Sequence, residues 1–299
     1  MKILLLGKNG QVGWELQRSL APLGKLLACD VDSPPPLKAD FSQPESLAAL
    51  VRAVRPEVIV NAAAYTAVDQ AESEPERAGA LNAAAPGVLA REAAALRALL
   101  VHYSTDYVFD GSGSAPRAES AATGPLSVYG RTKLEGERLV AASGCRHLIL
   151  RTSWVYSARG GNFARTMLRL AAEREELKVV DDQIGAPTGA DLLADVTAHA
   201  LRAVQADPAC CGLYHCVASG ETSWHGYARF VIESARAHGH VLKMAPDAVR
   251  PVSTRDYPTV AARPLNSRLD TRRLQRAFGL VLPHWRVGVE RMLGEVLGF

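Results

Sequence analysis

Cysteine is scarce and unpatterned in this chain. Cys29, Cys145, Cys210, Cys211 and Cys216 form an odd set with no repeated spacing. A secreted disulfide framework needs more pairs per residue, so reduced thiols in a cytosol are the expectation. A zinc pattern is also missing. Cys210-Cys211 followed by His215-Cys216 lacks the spaced C-x2-C pairs that close around one ion, and reads as a turn entering a strand over Gly212 to Val217. No uncharged apolar run reaches about 18 residues, and no small-residue cleavage site follows the first apolar segment. A soluble, cytoplasmic protein with no membrane partner is expected. Charge of one sign is lacking too: 34 Lys and Arg stand against 31 Asp and Glu, a formal +3, and the basic residues are scattered. That argues against a nucleic-acid binder, which concentrates its basic residues on one face. No repeat or low-complexity linker divides the chain.

What remains is ordinary globular material: 299 residues, 48% hydrophobic and 22% charged, enough for two average domains or one large one with an appendage. Ile3 to Leu6 is a short apolar run ending in glycine, which suits a strand buried on both faces. Val12, Leu16 and Leu20 recur every fourth residue, giving a helix with one apolar stripe. Lys25 to Cys29, Val58 to Val60, Leu99 to Tyr103 and His147 to Leu150 read as further strands. Helices are expected between them, from a Ser42-Gln43-Pro44-Glu45 capping box onward, around Ala78 to Leu96, and over Tyr129 to Ala142. Alternation of this kind predicts an α/β fold, a Rossmann-like doubly wound parallel sheet with a smaller C-terminal substrate lobe. Residues 1–150 are expected to bind the dinucleotide, with parts of 185–220 returning to that domain, and 151–299 to form mainly the lobe. Within the lobe, helices are expected over Asn162 to Glu175, Asp191 to Val204, Trp224 to Ala237, Thr271 to Phe278 and Trp285 to Leu297, with a strand over Lys178 to Val180.

Gly7, Gly10 and Gly13 lie where the first strand meets the first helix. Glycines there permit a tight turn and a close approach of a pyrophosphate to the backbone, while the helix N-terminus supplies N–H donors. The spacing is G-x-x-G-x-x-G rather than the commoner G-x-G-x-x-G. Asp30, at the end of the second strand, suits the ribose hydroxyls of NADH; Lys8 in the glycine loop suits the 2′-phosphate of NADPH. The two signals conflict, so both cofactors are expected to be accepted. Asp40-Phe41 reads as either an adenine contact or a plain helix entry.

Tyr129 and Lys133, four apart on a helix, share one face. A tyrosine titrates near about 10, and proton transfer near neutrality calls for a neighbouring cation to lower it. Lys133 is placed to do so and to hold the nicotinamide ribose, while Thr105 at the end of the fourth strand is placed to bond a reacting carbonyl oxygen.

With these residues in view, the chain resembles the extended, nucleotide-sugar branch of the short-chain dehydrogenase/reductase superfamily, and within it the dTDP-4-dehydrorhamnose reductases. The similar stretches include Tyr103-Ser-Thr-Asp-Tyr-Val-Phe109, Tyr129 to Gly136 and Asp182-Gln-Ile-Gly-Ala-Pro-Thr188. The resemblance implies reduction of the 4-keto group of dTDP-4-dehydro-β-L-rhamnose, with Tyr129 as proton donor, Lys133 as its electrostatic partner and Thr105 orienting the sugar. It implies that Gly10, Gln11 and Val12 hold the pyrophosphate, and that Asp30, Asp40, Phe41, Ala64, Tyr65, Thr66 and Tyr103 line the dinucleotide site. Tyr65 stands where relatives carry histidine. The resemblance also implies sugar contacts from Thr105, Asp106 and Trp154. Arg263 and Arg268 read either as diphosphate binders or as solvated side chains. It further implies a homodimer with Mg2+ at its interface, at Glu15, Asp191 and Glu295, the alternative being three surface acids. Two other functions share this superfamily or fold: a nucleotide-sugar 4-epimerase or 4,6-dehydratase, and a non-catalytic regulatory subunit. The dehydratase runs Thr-Asp-Glu after the fourth strand; here the run is Thr105-Asp106-Tyr107.

Overall fold

A computed structural model describes all 299 residues. The first half alternates strand and helix: β1 (Lys2–Leu6), α1 (Gln11–Leu20), β2 (Lys25–Cys29), α2 (Pro44–Val54), β3 (Val58–Asn61), α3 (Val68–Ala71), α4 (Pro75–Gly79), α5 (Ala85–Leu96), β4 (Leu99–Thr105), α6 (Val128–Ala142) and β5 (Arg146–Thr152). The second half holds β6 (Val155–Tyr156), α7 (Phe163–Glu173), β7 (Leu177–Val180), β8 (Ile184–Gly185), β9 (Thr188–Gly189), α8 (Ala190–Ala206), β10 (Gly212–His215), β11 (Thr222–Ser223), α9 (Trp224–Ala237), β12 (Val249–Val252), α10 (Arg272–Phe278) and α11 (Trp285–Leu297).

Six strands form one parallel sheet in the order β10-β5-β4-β3-β1-β2. The period of two along β1 explains its two-sided core. Ile3 and Leu5 pack with Leu16 and Leu20 of α1 and Leu193 and Val196 of α8. Leu4 and Leu6 point the other way, against Leu47 and Leu50 of α2 and Leu89 of α5. All four β1 side chains are fully buried, each contributing about 1.5–3 kcal/mol of burial. From β1 the chain moves outward to β2, then returns to the opposite side as β3. That reversal leaves a crevice beyond the C-terminal ends of β1 and β3, where an open α/β sheet binds ligands.

Two local expectations change. The Ser42–Glu45 capping box does not form: the Ser42 hydroxyl donates to Asp40 instead (2.6 Å), and α2 begins at Pro44 behind Gln43, which makes no side-chain cap. The helix expected from Ala78 begins earlier, at Pro75, and passes through a π-helical turn at Ala80–Ala84. Pro86, with no N–H to continue an ordinary ladder, follows directly. Inside that turn Asn82 accepts from the Tyr65 N–H (2.9 Å) and donates to its carbonyl oxygen (3.0 Å), tying the loop after β3 to the helix.

The strand expected to reach Val217 ends its ladder at His215 and forms the sheet edge beside β5. The remaining core gathers Tyr156, Met167, Tyr227, Val231, Trp285 and Val289 under α7, α9 and α11, with β7 paired to β12 beside it.

Candidate active site

The turn after β1 closes only because it lacks side chains. Gly7 has φ +86°, and a Cβ there would lie 2.6 Å from the Ala63 nitrogen; a Cβ on Gly13 would lie 1.8 Å from the Gly7 carbonyl oxygen. Gly10, the N-cap of α1, offers no side chain to bond the first-turn amides, so those donors stay free for an anion. They open onto a cleft of about 770 Å³ lined by Gly7, Gly10, Gln11 and Val12 from this turn. A dinucleotide diphosphate fits such a cradle. Gly13 is not on the cleft; it lets α1 pack against the turn.

Asp30, Asp40, Phe41, Ala64, Thr66 and Tyr103 all line the same cleft. Asp30 is fixed by the Asn9 and Val31 amides, which donate to its carboxylate at 3.1 and 2.8 Å. Lys8 does not line the cleft and lies 3.8 Å from Asp32, so the acid and not the cation faces the cleft. Hydrogen bonds from Ser42 hold the Asp40 carboxyl below its usual range. Tyr65 departs from its expected place. Its hydroxyl donates to Glu74 (2.9 Å) and its ring packs with Ala71 and Ala78, away from the cleft.

Tyr129 and Lys133 come from the first turns of α6, whose start is pinned twice. Ser127 accepts from the Gly130 N–H (3.2 Å), and Glu72 accepts from the Val128 N–H (2.7 Å). Thr105 ends β4, donates to Asp106 (3.1 Å) and accepts from the Tyr107 N–H (3.2 Å). Thr105, Asp106, Tyr129, Lys133 and Trp154 meet at one end of the cleft.

The electrostatics differ from the expected tyrosine–lysine couple. Burial holds the Tyr129 phenol above its ordinary value, and the hydrogen bond with Thr105 pulls the other way. Lys133 is also buried; its ammonium donates to the Tyr103 carbonyl oxygen at 2.6 Å, and burial pulls it down to about 8 while Glu137 opposes that fall. Glu137, one turn further along α6, is held by two bonds from Arg151 (2.8 and 2.6 Å). Burial pushes the Asp106 carboxyl up to about 6. Tyr129 therefore carries its proton at neutrality, the state a donor needs.

Arg263 and Arg268 do not line the cleft. Arg263 is paired with Asp69 (2.6 Å) and donates to the Tyr107 hydroxyl (3.2 Å), whose ring meets Tyr129 edge-on at 5.4 Å. Arg268 is bound by Glu221 (2.6 Å). Glu15, Asp191 and Glu295 do border one small hollow, but Arg291 enters it and pairs with Asp191 (2.7 Å) and Glu295 (3.1 Å), while Glu15 faces Arg18 at 3.6 Å. A guanidinium occupies the place a dication would need, and no group of three or more His, Cys, Asp or Glu side chains gathers as a metal site. In this chain the three carboxylates do not gather around one ion.

Sequence reasoning missed Thr152, Ser153 and Arg77 on the cleft. The first two sit at the end of β5, where the strand-end rule finds them. Arg77 carries no such signal.

The family model for the RmlD substrate binding domain matches residues 1–297. The dTDP-4-dehydrorhamnose reductase of Escherichia coli K12 is 57% identical over 296 residues, covering 99% of this chain and 98% of that protein. Two solved structures align over the whole length. One is a dTDP-4-dehydrorhamnose reductase from Clostridium acetobutylicum, at TM-score 0.90 and 34% identity, covering 100% of both chains. The other, from Bacillus anthracis, was solved in complex with NADP, at TM-score 0.85 and 34% identity, covering 99% of this chain and 100% of that one. With the glycine cradle and the Thr105, Tyr129 and Lys133 cluster in register on one cleft, the chain belongs to the dTDP-4-dehydrorhamnose reductase family.

Proposed function

We propose that this chain reduces the 4-keto group of dTDP-4-dehydro-β-L-rhamnose to give dTDP-L-rhamnose, with NADPH or NADH as the reductant. The observation that carries the reading is the meeting of Thr105, Tyr129 and Lys133 at the end of the cleft that begins at the glycine turn. The nicotinamide, when bound, supplies a hydride to the carbonyl carbon. The Thr105 hydroxyl, which in this structure donates to Asp106, turns to donate to the carbonyl oxygen, and Tyr129 gives that oxygen its proton, so the developing alkoxide is satisfied as it forms. Lys133, a buried cation on the same cleft, offers a donor to the ribose and positive charge toward the phenolate left behind. Gly10, Gln11 and Val12 hold the diphosphate, and Asp30 accepts from a free ribose hydroxyl.

Residues 1–150, with α8 and β10, form the dinucleotide-binding part in this reading, and 151–299 the sugar-binding part. Support comes from Trp154, which projects onto the cleft just past β5. The reading includes a cytoplasmic protein, supported by five free cysteines. It also includes a homodimer, supported by the exposed apolar side chains Trp14 and Val287 on α1 and α11. No helix is long and apolar enough to cross a membrane. The test is direct: purified protein with dTDP-4-dehydro-β-L-rhamnose and NADPH should oxidise one cofactor per dTDP-L-rhamnose formed.

A further inference from the structure

The Asp182-Gln-Ile-Gly-Ala-Pro-Thr188 segment contributes no residue to the cleft, yet it surrounds one that does. Trp154 follows β5 with φ +49°, a left-handed backbone that few residues other than glycine adopt. Three contacts hold it there. Its carbonyl oxygen accepts from the Thr188 N–H at 3.2 Å. Its indole stacks on Trp224 with ring centres 3.7 Å apart and planes 15° apart. The edge of the same ring lies over Gly185, where a Cβ would come within 2.9 Å of it.

Trp224 is itself fixed. Its indole N–H donates to the Gln183 side-chain oxygen at 3.1 Å, and the Gln183 amide donates to the Thr254 hydroxyl at 3.0 Å. Thr254 is anchored in turn by Asp182, which accepts from its N–H (2.9 Å) and its hydroxyl (2.6 Å). Phe163 packs against Trp224 at a tilt, with 4.6 Å between ring centres. The chain of contacts runs from Thr254, two residues past β12, through Gln183 and Trp224 to an indole on the cleft wall. A planar apolar wall is the surface that the C–H face of a pyranose ring packs against, and its fixed orientation lowers the entropy lost on binding.

We propose that Gln183, Gly185 and Trp224 are positioning residues that clamp the Trp154 indole as the platform for the sugar ring of the nucleotide sugar. This inference rests on the reading of the cleft as a nucleotide-sugar reductase site. The clamp has its own signature, because two stacked indoles give an exciton couplet in the far-ultraviolet circular dichroism spectrum without any substrate present.

The experiment compares wild type with Gln183→Leu, Gln183→Glu, Gly185→Ala and Trp224→Phe. Wild type shows the couplet and Trp224→Phe lacks it. Gln183→Leu, which keeps both indoles but removes the acceptor, weakens the couplet and raises the KM for dTDP-4-dehydro-β-L-rhamnose roughly fivefold to tenfold, leaving the KM for NADPH unchanged. Gln183→Glu, which still accepts the indole N–H but cannot donate to Thr254, restores both readings in part. Gly185→Ala, where it folds, behaves as Gln183→Leu. A couplet untouched by Gln183→Leu overturns the clamp, and a lost couplet with an unchanged sugar KM overturns its role in binding. A wild type that shows the couplet but reduces no 4-keto sugar overturns the functional reading, and the sugar half of this inference with it, while the clamp itself is still measured.

Discussion

The Lys133 ammonium donates to the Tyr103 carbonyl oxygen at 2.6 Å, anchoring α6 to the end of β4 across the floor of the cleft. Burial pulls this lysine down to about 8, below the usual lysine value, so its charge is present on the acid side of that point and lost as pH rises through it. The kcat/KM for reduction should therefore fall as pH rises through about 8. In Lys133→Arg, whose guanidinium stays charged, that limb should be absent even though the rate is lower. A wild-type profile flat to about pH 10 would contradict the assignment, since that is where an unperturbed lysine titrates.

Tyr129→Phe removes only a hydroxyl from a ring packed edge-on against Tyr107. Turnover should drop by roughly 10²- to 10⁴-fold. NADPH binding, read by fluorescence titration, should be unchanged. Single-turnover rates near wild type would remove Tyr129 from the proton-transfer step. Lys133→Ala should differ by weakening NADPH binding as well.

Asp30→Ala should shift cofactor preference toward NADPH. The carboxylate faces the cleft while Lys8 is drawn toward Asp32, so the acid is the group a 2′-phosphate meets. The ratio of kcat/KM values for the two cofactors, before and after substitution, measures this. A shift toward NADH would place Asp30 away from the ribose.

Asp106 is buried, and its carboxyl is raised from the usual aspartate value to about 6. The unfolded chain releases this proton at lower pH than the folded one, so folding loses stability as pH rises from about 4 to about 6. The full effect is up to about 3 kcal/mol. Asp106→Asn should lack that decline, so its Tm relative to wild type should be higher at pH 7 than at pH 4. A Tm difference independent of pH would contradict the shift.

The sheet was legible because parallel strands buried on both faces read as short apolar runs, Ile3 to Leu6 foremost. Helices with one apolar stripe, such as Trp224–Ala237 and Trp285–Leu297, were legible to the residue. The two-residue strands β6, β8, β9 and β11 were not, because two residues carry no periodicity. Among site residues, those at strand ends and on one helix face came together as spacing implied. Tyr65, Arg263, Arg268 and the three acids did not. Tyr65, Arg263, Arg268 and Asp191 each find a partner on another element (Glu74, Asp69, Glu221 and Arg291), while Glu15 and Glu295 are taken up by arginines one turn away on their own helices (Arg18 and Arg291). The i,i+4 spacing of Tyr129 and Lys133 likewise does not show that burial raises the Tyr129 phenol while the Lys133 ammonium turns to the Tyr103 carbonyl oxygen.

The most direct test of the account uses protein stripped of cofactor and two parallel mixtures. One contains dTDP-4-dehydro-β-L-rhamnose with NADPH; the other contains dTDP-glucose with NAD+, the hydride acceptor a dehydratase needs to oxidise the sugar at its fourth carbon. Reduced-nicotinamide absorbance should fall in the first in step with dTDP-L-rhamnose, and the second should stay unchanged, because Thr105-Asp106-Tyr107 lacks the glutamate a dehydratase uses on the carbon beside the carbonyl. A 4-keto sugar appearing in the second mixture, with no cofactor consumed in the first, would contradict it.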